Sequence, residues 1–123
     1  MLPKVIFVDD SELILEAAKE GILPFSIDLR TFSGADEAYE DLNNGEVPKL
    51  IITDLNMPGM NGYEFLDKIR ENSSTKNVPI LMVTDKPSDQ MKAYCKKRGL
   101  TGWIHKPFSN HDLQMALKRV MRF

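Results

Sequence analysis

Residues 50–62 read LIITDLNMPGMNG. The apolar run reaches Asp54 with only Thr53 intervening, and a loop holding Pro58, Gly59 and Gly62 follows. Such a near-continuous run marks a strand covered on both faces, as in a parallel sheet. VIFV at 5–8 and PILMVT at 79–84 share the pattern, and GWIH at 102–105 is a fourth short run. SIDLRTF at 26–32 alternates instead, with Ile27 and Leu29 against Asp28 and Arg30. It reads as a more exposed strand near a sheet edge.

Helical patterns fill the intervals. Residues 11–21 place Leu13, Ile14 and Ala17 at helical spacing, and Gly21 suits a C-cap. Residues 33–45 open on Ser33 with Asp36 three further on, close to a capping box. Residues 61–72 bring Phe65, Leu66 and Ile69 together. Residues 87–99 start on Pro87 and a capping Ser88 and end on Gly99. Residues 109–121 open on Ser109 with Asp112 three on, and Leu113, Ala116, Leu117 and Val120 share a face. Strand and helix alternate five times, which predicts an α/β layered fold with a mostly parallel sheet.

The 123 residues suit one domain, 1–123, with a sizeable core. Apolar content of 42% and charged content of 28% are those of a globular chain and argue against disorder. A net charge of −2 gives no general basic excess, so no direct nucleic-acid contact is expected. Cys95 is the single cysteine, so no internal disulfide forms, which fits a reducing, cytoplasmic location. MLPKVIFVDD is too short in its apolar stretch for a secretory signal. No run approaches the ~20 apolar residues that span a bilayer.

Open parallel sheets bind ligands beyond the carboxyl ends of their strands. Asp9 and Asp10 follow the first strand, Asp54 ends the third, Thr84 ends the fourth and Lys106 follows the fifth. Core packing asks for none of these, because buried charge is costly unless paired. Crowded carboxylates repel, and a hard divalent cation relieves that. Mg²⁺ prefers oxygen ligands and keeps open positions for waters or a phosphate. Lys106 offers a point charge and Thr84 a hydroxyl to phosphate oxygens. Asp54, between the metal acids and the lysine, is the natural nucleophile for forming an acyl phosphate. The loop after it leaves the carboxylate open and can turn the Asn56 carbonyl toward the metal.

VIFVDDS, IITDLNMPGMNGYEFLDKIR, PILMVT and WIHKPFS, in this order and spacing, resemble the receiver domains of two-component response regulators. The likeness runs from about Lys4 to about Arg119. It implies a flavodoxin-like, doubly wound five-stranded parallel sheet in the order 2-1-3-4-5, with five helices. It implies a phosphoacceptor signalling domain rather than an enzyme, catalysing only its own phosphorylation and dephosphorylation. Asp54 accepts a phosphoryl group from a sensor histidine kinase or phosphotransfer protein. Asp9, Asp10, Asp54 and the Asn56 carbonyl hold Mg²⁺, and Thr84 and Lys106 bind the phosphoryl oxygens. The Lys106–Pro107 peptide is cis. The surface that changes is the fourth helix, fifth strand and fifth helix, with Lys92, Trp103, His105, Phe108 and Arg119, and it meets a downstream output protein or a fused output domain. Pairing of two copies through the last helices stays open.

Two residues depart from the family pattern. Asp85, where a small residue is usual, adds like charge beside the phosphate site and is expected to slow phosphorylation or restrict the donor. Trp103 is larger than the usual tyrosine or phenylalanine, so its inward rotation is in doubt. A second reading follows from these, a phosphorylation-independent interaction module on the same fold. An aspartyl-nucleophile hydrolase is disfavoured, because Asn56 stands where that chemistry wants a second acid. His105 and His111 read as exposed rather than as metal ligands.

Overall fold

Hydrogen bonding joins the apolar runs into one parallel sheet. The computed structural model describes residues 1–122. The elements are β1 (Lys4–Val8), α1 (Glu12–Gly21), β2 (Asp28–Phe32), α2 (Ala35–Asn44), β3 (Leu50–Asp54), α3 (Gly62–Glu71), β4 (Ile80–Thr84), α4 (Asp89–Lys97), β5 (Gly102–His105) and α5 (Asn110–Met121). The strand order is β2-β1-β3-β4-β5, all pairs parallel. This is the flavodoxin-like arrangement that the resemblance implies. The alternating stretch is indeed an edge strand, and no β2 residue is fully buried, whereas β1, β3 and β4 are buried throughout.

Two cores lie on the two faces, because successive strand side chains point to opposite sides. Ile6, Val8, Ile51, Ile80 and Met82 pack with Phe65, Leu66 and Ile69 of α3 and with Cys95 of α4. Val5, Phe7, Ile52 and Val83 pack with Leu15 and Ala18 of α1 and with Leu113 and Leu117 of α5. Cys95 is thus a small core residue.

Four N-caps are made by side chains: Ser11 for α1, Ser88 for α4, Ser109 for α5 with Asp112 completing a capping box, and Asn61 for α3 with Glu64 doing the same. Two expected caps differ. The N-cap of α2 is Gly34, without a side-chain bond, and Asp36 instead accepts from the Met60 N–H at 3.3 Å. The capping pattern at 33–36 loses to a tie with another loop. Gly21 is the last residue of α1 and Ile22 is the C-cap. A Cβ at Gly21 would lie 2.9 Å from Leu113 Cδ2, so a glycine here serves close packing of α1 on α5.

Candidate functional site

Register decides what meets at the carboxyl rim. Val8 faces Thr53, so Asp9 and Asp54 leave adjacent strands at the same level. Asp54 faces Val83 and Thr84 faces His105, so Thr84 and Lys106 follow within one residue of that level. A parallel sheet in this register therefore gathers residues that lie 97 positions apart in the chain, Asp9 to Lys106.

Side chains close the cluster. Lys106 Nζ lies 3.2 Å from Asp9 Oδ2 and 3.1 Å from Asp54 Oδ1. Asp54 Oδ1 also accepts from the Leu55 N–H at 2.8 Å. One carboxylate oxygen each from Asp9, Asp10 and Asp54 lie within 4.8 Å of one another. Asp9 is fully buried, Asp54 nearly so, and Asp10 is exposed. Burial raises the pKa of Asp9, the Ser11 N–H at 2.9 Å pulls it back, and the charge of Asp54 pushes it up again. Burial works to lower the pKa of Lys106, but the charges of Asp9 and Asp54 outweigh it and hold the ammonium above its ordinary value.

The cluster fits a divalent cation. Three ionised carboxylates and one ammonium leave two negative charges in it. Asp9 Oδ2 is buried and has no hydrogen bond; only the ion pair with Lys106 reaches it. Buried oxygens are seldom left so unless something else approaches them. Oxygen donors alone suit a hard ion such as Mg²⁺.

Thr84 is buried at the end of β4. It lines a cleft of about 670 Å³ with Leu55, Asn56, Tyr63, Asp85, Lys86 and Met91. Asp85 and Lys86 are exposed on its wall. Tyr63 and Met91, which the sequence reading did not single out, give the cleft its apolar side, and burial raises the Tyr63 pKa. Tyr63 directly follows the loop's last glycine, the one signal that placed it near the rim.

The loop after Asp54 is tightly held. Gly59 sits at φ +78°, a region that costs other residues strain. The Gly62 N–H closes on the Leu55 carbonyl at 2.8 Å. A Cβ at Gly62 would come 2.6 Å from the Asp54 carbonyl oxygen and 2.8 Å from Leu55 Cα, both backbone atoms. Met57 is buried in the core under α3, which leaves Asn56 exposed at the cleft. Lys106–Pro107 is cis.

The expected partner residues lie at the far edge. Lys92, His105 and Arg119 are exposed and Trp103 is half-buried. Phe108 turns inward, half-buried, with its ring centroid 6.2 Å from that of Phe7. His111 is exposed.

A doubly wound parallel sheet with an acid triad and a lysine at its carboxyl rim defines a class of aspartate-bearing signalling domain. Residues 5–118 match the family model described as the response regulator receiver domain, and the chain belongs to that family. It is 33% identical to the chemotaxis protein CheY1 of Helicobacter pylori over 120 residues, covering 96% of each. It is 30% identical over 119 residues to the sensor histidine kinase CheAY of the same organism, where it spans 15% of that longer protein. The structure of the chemotaxis response regulator CheY4 of Vibrio cholerae superimposes with a TM-score of 0.89 at 35% identity, over 98% of this chain and 99% of that one. Among the described residues, no helix is long and apolar enough to cross a membrane.

Proposed function

We propose that this receiver domain is a phosphorylation-operated switch in a two-component phosphorelay, formed by residues 1–123 as one domain. The observation that carries the reading is Asp54, buried at a strand end beside two further acids and held by the ammonium of Lys106. A carboxylate oxygen of Asp54 attacks the phosphorus of a phosphohistidine on a kinase or phosphotransfer protein. The P–N bond breaks, the imidazole leaves, and an aspartyl phosphate forms. Hydrolysis of that acyl phosphate returns the carboxylate.

Asp9, Asp10, Asp54 and the Asn56 carbonyl would hold Mg²⁺, which when bound supplies charge neutralisation for the transferring group. Lys106 already pairs with Asp54, and it follows the new charge when the carboxylate is esterified. Thr84 offers its hydroxyl to a phosphoryl oxygen from the next strand. These two contacts favour the modified state alone, so they bias a surface formed by α4, β5 and α5, with Lys92, Trp103, His105, Phe108 and Arg119. That surface binds an output protein or a fused output domain in the cytoplasm.

Intact-mass measurement after incubation with an acyl phosphate donor and Mg²⁺ tests the reading. The chain gains one phosphoryl mass, EDTA prevents the gain, and Asp54→Asn abolishes it. A chain that stays unmodified while it binds partners through the same surface is the phosphorylation-independent module instead.

A further inference from the structure

Asp36 is used neither as a helix cap nor as a member of the acid cluster. It is exposed in the first turn of α2, a place where the helix macrodipole alone favours an acid. Two observations go beyond that preference. Asp36 Oδ2 accepts from the Met60 N–H at 3.3 Å, across 24 positions of chain. The same oxygen sits over Gly59, where a Cβ would meet it at 2.8 Å. The missing side chain of Gly59 therefore leaves the space that this carboxylate takes.

The loop that receives this bond is the one that follows Asp54. Its ends are fastened by the Leu55 N–H on Asp54 Oδ1 and by the Gly62 N–H on the Leu55 carbonyl. Met57 anchors its middle in the core. Between those points the backbone has little to hold it. Among the described residues, the bond from Met60 to Asp36 is the one hydrogen bond made by the backbone of residues 56–60.

The segment that carries Asp36 also holds the opposite wall of the pocket. Phe32 ends β2, and its carbonyl accepts from the Asp9 N–H at 3.1 Å. Ala35 is fully buried in the core that contains Val8, Leu55 and Met57, and Phe32 and Met60 pack against that core. Residues 32–36 thus form a short brace. One end bonds to the backbone of Asp9, and the other bonds to the loop that bears Asn56.

We propose that Asp36 is a positioning residue for the divalent cation. By holding Met60 it fixes the loop whose Asn56 carbonyl joins Asp9, Asp10 and Asp54 as a ligand. The proposal rests on the reading of those four groups as the metal site. Mg²⁺ demands near-octahedral placement and tolerates little drift in its ligands. A free loop loses conformational freedom when its carbonyl is captured, and a loop already tied to α2 has less to lose. The coupling is reciprocal, so the ion strengthens the bond between Met60 and Asp36 in return. That bond is long and exposed, so the gain in affinity is about threefold to fivefold rather than orders of magnitude.

The experiment titrates the full chain with MgCl₂ in a calorimeter and follows urea unfolding in EDTA alongside. Asp36→Ala binds Mg²⁺ about threefold to fivefold more weakly than the parent. Asp36→Asn keeps a carbonyl oxygen in the same place and retains most of the affinity. Glu37→Ala takes the same charge from the same turn of α2 and leaves the affinity unchanged. Amide exchange at Met60, read by NMR, slows when the parent takes Mg²⁺ and is fast in Asp36→Ala without it. With an acyl phosphate donor, Asp36→Ala needs more Mg²⁺ to reach the parent's rate of phosphorylation, and reaches it at saturation. Equal Mg²⁺ affinity in the parent and Asp36→Ala overturns the inference, whatever the change in stability in EDTA. A loss of the same size in Asp36→Asn or in Glu37→Ala traces the effect to the negative field of α2 and overturns it too. A parent that takes no Mg²⁺ overturns the metal reading and the inference together, whereas a parent that binds it and is weakened by Asp9→Asn upholds that reading even where Asp36 proves idle.

Discussion

Lys4 and Asp9 flank the same strand at its opposite ends, and both are buried, at 4% and 0% exposure. The amino end is closed. Lys4 Nζ pairs with Asp41 Oδ2 at 2.8 Å and donates to the Glu46 carbonyl at 2.9 Å. The carboxyl end is not, since one oxygen of Asp9 has no hydrogen bond and acids outnumber the single lysine there. The comparison separates two uses of buried charge. A pair that satisfies itself belongs to the architecture, whereas a set left with surplus charge is built to receive something.

The largest effect that sharpens this contrast is metal linkage. Mg²⁺ at a hundred times its dissociation constant raises the unfolding free energy by about 2.7 kcal/mol. Chemical denaturation of Asp9→Asn shows most of that increment gone, while Lys4→Met keeps it. Next in size is Lys4→Met itself. Breaking a buried pair costs about 3–5 kcal/mol, but Asp41 is 26% exposed and regains water, so about 2 kcal/mol is expected in a urea titration.

A smaller effect has the opposite sign. In EDTA, Asp9→Asn is more stable than the parent at neutral pH. The folded pKa of Asp9 is raised above its unfolded value by burial, so the group contributes stability below the unfolded pKa and loses it as pH rises through the folded one. The advantage of the Asn variant therefore shrinks as pH falls toward the ordinary carboxylate range. An advantage that grows on acidification breaks the comparison.

The smallest effect serves as a control at the first turn of α5, on a residue that makes no contact with the acids of the pocket. Ser109→Ala removes the α5 cap and costs about 1 kcal/mol with or without Mg²⁺. Asp112, held below its usual pKa first by the Ser109 N–H, contributes stability above the unfolded pKa that is lost as pH falls through the lowered value. Its pH response thus runs opposite to that of Asp9.

The same two strand ends show what was legible in the residues alone. Asp9, Asp54, Thr84 and Lys106 were readable because each follows or ends an apolar run, and a parallel sheet sends all such ends to one rim. Lys4 was not. A lysine ends the apolar pattern of VIFV, and its burial depends on partners 37 and 42 positions away. Ser33 and Asp36 carried a capping signature, yet Asp36 bonds to Met60 in a loop 24 positions on. Gly21 looked like a terminator and proved to be a contact surface for α5. Local rules named the elements and failed wherever a distant residue offered a better partner.

Gly62 presses against backbone on two sides, so the start of α3 is locked to the end of β3 with no slack. Every replacement there adds at least a methyl group with nowhere to go. In a saturation library selected for signalling, position 62 is therefore expected to be a near-blank column, while Met60 next door accepts many alternatives. Lengthening the connection by one residue is just as poorly tolerated, which makes the interval between 54 and 62 a ruler written into the chain.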